Sequence, residues 1–205
     1  IGSDPSGAGL VLQSLVVIVA LSWINVLGVI WGGRFQAITT IVKAGFLGLI
    51  ALLPFLMHWA GQPGFDPANY QSVVVPEETT PVTQFVAALL AVLWAYNGWH
   101  GVAPVAEEVR DPERNIPLAL FGGTAILIVL YTGANSAYHG VLSMEEVKGA
   151  EKGAAQAMIH KLLLPSGTHV AELGAAAMAA VIMCGALGAI NSTILEGSRI
   201  AFAMG

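Results

Sequence analysis

The sequence predicts an all-α membrane protein, a polytopic helical bundle, and three observations carry that prediction. Of 205 residues, 56% are hydrophobic and only 10% are charged, whereas a soluble domain carries about 25% charged residues. The mean hydropathy is +0.73. The charges gather between uncharged stretches of about 20 residues, the length a helix needs to cross a bilayer. Helices suit these stretches because lipid cannot satisfy backbone polar groups, and the runs are too long and too continuously apolar for barrel strands. The composition excludes a nucleic-acid binder and a disordered chain, and it makes membrane lipid the first expected partner.

The whole chain, 1–205, reads as a single transmembrane domain with five spans. The first, 10–31, is uncharged and carries Gln13, Ser22 and Asn25; Gly32, Gly33 and Arg34 are expected to break it. The second, 35–57, holds one charge, Lys43. Residues 58–84 are turn-rich, with Pro63, Pro67, Pro76 and Pro81, and read as a loop. The third span is 85–106, followed by the hydrophilic EEVRDPERN at 107–115. The fourth is 116–138, with Pro117 near its start. A long segment, 139–172, mixes Lys148, Lys152 and Lys161 with Glu145, Glu146 and Glu151. Within it the spacing of Met158, Ile159, Leu162 and Leu163 suggests a surface helix. The fifth span, 173–195, is rich in Ala, Gly and Met. Small residues at packing spacing, Gly28 with Gly32 and the Gly185/Gly188/Ala189 cluster, suggest closely packed helices. The chain starts at Ile1 and stops just past an apolar run, as expected for a piece of a longer protein.

Basic residues set the expected orientation. Arg34, Arg110, Arg114 and Arg199 fall on one side if the spans alternate, while 58–84 has no Lys or Arg. The first side is therefore read as cytoplasmic, and 58–84 and 139–172 as extracellular loops. Lysines within 139–172 oppose this assignment, but they sit in a long, mixed-charge element.

Two groups of residues fit poorly in lipid. Trp94-Ala-Tyr-Asn-Gly-Trp-His-Gly101 places two glycines, an Asn and a His in poor helix context, with Pro104 close behind. A span broken there must line a cavity or be covered by protein, as in transporters that bind substrate near the midplane; a kinked, continuous helix is the alternative. Lys43 lies about eight residues into its span, roughly 12 Å deep at 1.5 Å per residue. Such a group is a functional candidate or a lysine snorkelling to the interface. His100 is either a ligand contact or an interior hydrogen-bonder, and Asn191, Ser192 and Thr193 either coordinate a cation or join helices. Glu107 and Glu108 are adjacent, so they do not face one another on a helix and read as the end of the third span. The single cysteine, Cys184, precludes an internal disulfide, and no metal-ligand, phosphate-loop or catalytic motif occurs. No cofactor and no enzymatic activity are expected.

The segment WAYNGWHGVAPVAEEVRDPERNIPLAL (94–120) resembles the sixth helix and following loop of the amino acid–polyamine–organocation superfamily, its L-type amino acid transporter branch above all. RFQAITTIVKAGFLGLIAL (34–52) is similar to that family's fifth helix, and GALGAINSTILEGSRIAFAMG (185–205) to the end of its eighth. The resemblance implies helices four to eight of a LeuT-like inverted-repeat fold, the remaining helices belonging to the same full-length chain. It implies secondary transport of amino acids by alternating access, as a sodium-independent exchanger or proton-coupled permease. Polyamine or organic-cation transport, or a non-transporting protein on this scaffold, are the alternatives. It further implies that Trp94 gates the substrate, that Ala95, Tyr96, Asn97, Gly98 and His100 line its site, and that Lys43, beside Asn191 and Ser192, replaces a coupling cation. His100 departs from the Asn frequent in that branch, which bears on selectivity. A bacterial inner membrane is the expected location.

Overall fold

The computed structural model describes residues 7–26, 28–62, 64–71, 80–151 and 153–204. Among them there are helices and turns and no strand. Five helices are long and apolar enough to cross a membrane. The chain divides into two compact units, Ile1–Lys43 with Ile182–Gly205, and Ala44–Val181.

The first unit contains α1 (Gly7–Val26), the start of α2 (Val29–Trp59) and the larger part of α7 (Thr168–Met204). Helix α1 is apolar on all sides, the pattern of a helix surrounded by lipid or other apolar helices. Two of its polar side chains bond back to their own helix, Ser14 Oγ to the Leu10 carbonyl at 2.9 Å and Asn25 Nδ2 to the Leu21 carbonyl at 2.8 Å. The expected break at Gly32–Arg34 lies elsewhere. Helix α1 ends at Val26, and Gly28 adopts φ 120°, which side chains rarely allow. Gly32, Gly33 and Arg34 are already helical. Gly32 is there for space, since a Cβ would collide with Asn25 Oδ1. The Arg34 guanidinium lies 5.6 Å from the Trp31 ring centroid, a cation–π arrangement that keeps the charge on the helix surface.

The second unit holds the rest of α2, α3 (Pro81–Ala95), α4 (Pro112–Val141), α5 (Met144–Lys148), α6 (Ala154–Leu163) and the first turns of α7. Thr80 caps α3 by accepting the Thr83 N–H, with Pro81 in the first turn where its missing N–H costs nothing. Helix α4 begins earlier than read from sequence, at Pro112 rather than Ile116, because Asp111 turns the chain at φ 47°. Pro117 therefore lies inside the helix.

The core of this unit is Ile50, Ala137, Val141, Leu142, Met158, Ile159, Leu162 and Met178. Three of these are the apolar face expected for 158–163, now seen as α6 pressed inward. Gln156 Nε2 donates to the Ala175 carbonyl at 3.1 Å and ties α6 to α7. Ser143 and Glu146 form a capping box on α5, and Lys161 grips both Glu146 carboxylate oxygens at 2.8 and 2.7 Å. The loop after α2 is partly structured. A short 3-10 helix, Pro67–Gln71, is fastened to α4 through Tyr70 Oη to the Ser136 carbonyl at 2.6 Å and the Asp66 N–H to the Gly140 carbonyl at 2.7 Å.

Candidate functional site

Two sets of chemically informative residues emerge, one in each unit, and each stands by itself. In the second unit, α3 stops at Ala95. Of the two readings of the Trp94–Gly101 segment, the structure has the break. Tyr96 leaves helical geometry with ψ 8° and Gly98 turns the chain at φ 111°. Asn97 Oδ1 accepts the Gly98 N–H at 2.9 Å, a local bond that competes with helix continuation. The chain resumes as a 3-10 helix, Trp99–Glu108, with Pro104 inside it. Among the described residues the Ala95, Tyr96 and Asn97 carbonyls accept no backbone hydrogen bond across this break. Tyr96 sits edge-on to Tyr131 of α4, centroids 5.4 Å apart. Asn135 Nδ2 in turn donates to the Tyr131 carbonyl at 2.8 Å. Trp94 is 81% exposed. His100 is also exposed, its ring near-perpendicular to that of Trp99.

In the first unit, Lys43 lies against α7. A Cβ on Gly185 would stand 3.2 Å from Lys43 Cδ, and one on Gly188 3.2 Å from Lys43 Nζ and 2.9 Å from Thr39 Oγ1. Thr39 is buried, and its hydroxyl donates to the Gln36 carbonyl at 3.0 Å. Among the described residues Lys43 has no ion pair. Asn191, one turn beyond Gly188, is fully buried and committed elsewhere. Its Oδ1 accepts from Asn25 Nδ2 at 2.9 Å, and its Nδ2 lies 3.3 Å from both the Gly32 carbonyl and Gln36 Oε1. Thr193 Oγ1 bonds back to the Ala189 carbonyl of its own helix at 3.1 Å. Ser192 is half-buried and four residues on from Gly188, which puts it on the same face.

An amino acid permease family model matches residues 7–205. The chain belongs to the amino acid permease family. This permease chain is 28% identical over 190 residues to the serine/threonine exchanger SteT of Bacillus subtilis, an alignment covering 93% of this chain and 40% of that protein. It is 28% identical over 201 residues to the large neutral amino acids transporter small subunit 2 of Homo sapiens, covering 97% of this chain and 35% of the relative. It is 24% identical over 204 residues to the b(0,+)-type amino acid transporter 1 of Mus musculus, covering 100% of this chain and 39% of the relative. The chain thus spans well under half of the relatives it matches. No solved structure gives a significant match. Family and helices together make it a multi-pass membrane protein.

Sequence reasoning missed Thr39, Gln36 and Tyr131. Thr39 carries a usable signal, four residues before Lys43 and so on its helix face. Asn25 was visible as a polar residue in an apolar span, but its partner on α7 was not.

Proposed function

We propose that the full-length protein containing this chain is a secondary amino acid transporter working by alternating access. The single observation carrying this reading is the break at Ala95–Gly98 in a membrane-type helix, where among the described residues the Ala95, Tyr96 and Asn97 carbonyls accept no backbone bond. In lipid such groups need partners, and a substrate ammonium supplies up to three donors. Tyr96, Asn97, Gly98 and His100 would line the site with Ala95. Trp94, a large ring at the end of a half-helix, would swing over the substrate and exclude water.

Lys43, with Ser192 on the facing surface and Asn191 bracing the helices, would take the place of a coupling cation, making transport sodium-independent. The helices that complete the bundle belong to the rest of the full-length chain, and lipid covers the outer faces. The relatives' names, which include a serine/threonine exchanger and large neutral amino acid transporters, support amino acids as the substrate class. The same names support a carrier role rather than catalysis. The spans and extracellular loops (58–84, 139–172) keep the orientation given by the basic residues, in a bacterial inner membrane.

Uptake of labelled amino acids by the full-length protein in liposomes tests the reading. Saturable uptake or exchange, unchanged when choline replaces sodium and strongly reduced in well-expressed Trp94→Ala and Lys43→Ala, is expected. Strict sodium dependence, or normal uptake by either variant, overturns the corresponding assignment. Uptake of polyamines alone, or binding without flux, would replace the function itself. Cysteine labelling in intact cells tests the orientation: Ala68→Cys should react and Glu113→Cys should be protected.

A further inference from the structure

We infer that Gly185 and Gly188 are positioning residues for Lys43: together they leave on α7 the slot in which the lysine side chain lies. The functional half of this inference rests on the proposal that Lys43 serves transport. All the residues concerned belong to the first unit.

Glycine inside a helix costs roughly 0.5–1 kcal/mol relative to alanine, so each such position calls for a reason. Backbone conformation is not the reason here, because neither glycine has positive φ. Close approach of helix backbones, the usual role of small residues in membranes, is not the reason at Gly185 either. Among the described residues a Cβ there would meet Lys43 Cδ at 3.2 Å and Lys43 Cγ at 3.8 Å, and nothing else within 4 Å. Three residues on, a Cβ at Gly188 would meet Lys43 Nζ at 3.2 Å, Thr39 Oγ1 at 2.9 Å and Thr39 Cβ at 3.3 Å. The stem of the lysine therefore crosses α7 at Gly185, and its head lies at Gly188.

The slot also presents chemistry. The Thr39 hydroxyl hydrogen is used on the Gln36 carbonyl, which leaves the oxygen able to accept, and this oxygen and the Lys43 ammonium flank the point a Gly188 Cβ would take, at 2.9 and 3.2 Å. A methyl group at 188 occupies that point. By contrast, a Cβ added at Gly197 on the same helix meets nothing within 4 Å among the described residues, and this position serves as the control.

A double-mutant cycle in the full-length protein tests this. Gly185→Ala is expected to lower the thermal midpoint of the purified transporter, and in a Lys43→Ala background, where the neighbour it meets is gone, to raise it slightly through helix propensity alone. Gly188→Ala is expected to reduce turnover in liposomes by about tenfold to a hundredfold, the scale for a group displaced by about 1 Å, while KM moves little. Gly197→Ala should leave turnover unchanged and raise the midpoint only by the small helix-propensity gain. If Gly185→Ala lowers the midpoint equally in both backgrounds, the slot does not exist. If Gly188→Ala turns over normally, the positioning role fails. Normal transport by Lys43→Ala would overturn the function of the lysine while leaving the cycle to judge the slot on its own. Should Gly188→Ala fail to express, Gly185→Ala carries both readouts.

Discussion

Replacing Asn191 by Ala should destabilise the helix bundle by about 3 kcal/mol, and the magnitude follows from what its amide touches. The side chain is fully buried and takes part in three contacts, from Asn25 Nδ2 at 2.9 Å and to the Gly32 carbonyl and Gln36 Oε1, each at 3.3 Å. Hydrogen bonds between membrane helices average about 0.6 kcal/mol and reach about 1.7 kcal/mol. Three of them amount to about 2 kcal/mol, the two longer ones counting at the lower end. The void left by the lost amide adds about 1 kcal/mol. The network has little slack, since Asn25 Oδ1 is buried and already without a partner. Unfolding of the full-length protein by SDS titration in mixed micelles reads the change directly. Asn191→Leu separates the two parts, because it restores volume but not polarity and should recover only the cavity share. A loss below about 0.5 kcal/mol for Asn191→Ala, the range of a surface substitution, would refute the claim that this amide joins the helices.

Gly140→Ala should be strongly destabilising, because its methyl would enter the Phe65 ring and stand 2.9 Å from Tyr70 Oη; limited proteolysis near Asp66 would rise if the loop is prised from α4, and an unchanged digest contradicts this packing. Gly98→Ala should impair substrate binding and lower stability by about 1–2 kcal/mol, the cost of forcing a side chain into left-handed geometry, since Gly98 holds φ 111°; wild-type binding by that variant argues against a required break. The Lys161 ammonium, hydrogen-bonded to Glu146, and the Ser143 N–H hold the Glu146 carboxyl below its usual range. A depressed carboxylate stabilises the fold above its unfolded pKa, and that contribution is lost as pH falls through the folded value. The pair is exposed, so the acid-side loss should be at most about 1 kcal/mol, and it should vanish in Glu146→Gln when melting is followed from pH 6 downwards.

The sequence reads well where the signal is local. Five apolar runs become five membrane-type helices, and the apolar spacing at 158–163 becomes an amphipathic helix. The cluster of Asn, two Gly and His after Trp94 becomes a break, because Asn97 and Gly98 each favour leaving the helix for reasons confined to a few residues. What escaped is set by contacts between distant parts of the chain. The first break falls at Gly28 rather than Gly32 because Gly32 is needed where Asn25 packs, which hydropathy cannot register. Asn25 and Asn191 are 166 positions apart, so each looks like an isolated polar residue. Helices α2, α4 and α7 outrun their apolar stretches because helix continues into segments whose polarity reads as loop.

Helix α6 is worth following to its consequence. At 10 residues it is about 15 Å long, too short to cross a bilayer. It buries Met158, Ile159 and Leu162 while His160 stays exposed. On the reading of 139–172 as an extracellular loop, its burial is driven by water, whereas the long apolar helices associate where water is absent and hydrophobic attraction between them vanishes. On that reading the second unit answers to two solvents at once. Urea, which solvates apolar and peptide groups from the aqueous phase, should loosen α6 and the capping box beneath Lys161 long before it touches the spans. A harsh detergent should do the opposite. Lowering the temperature weakens only the water-driven part, so the protein can lose its aqueous cap in the cold while every membrane helix stays formed.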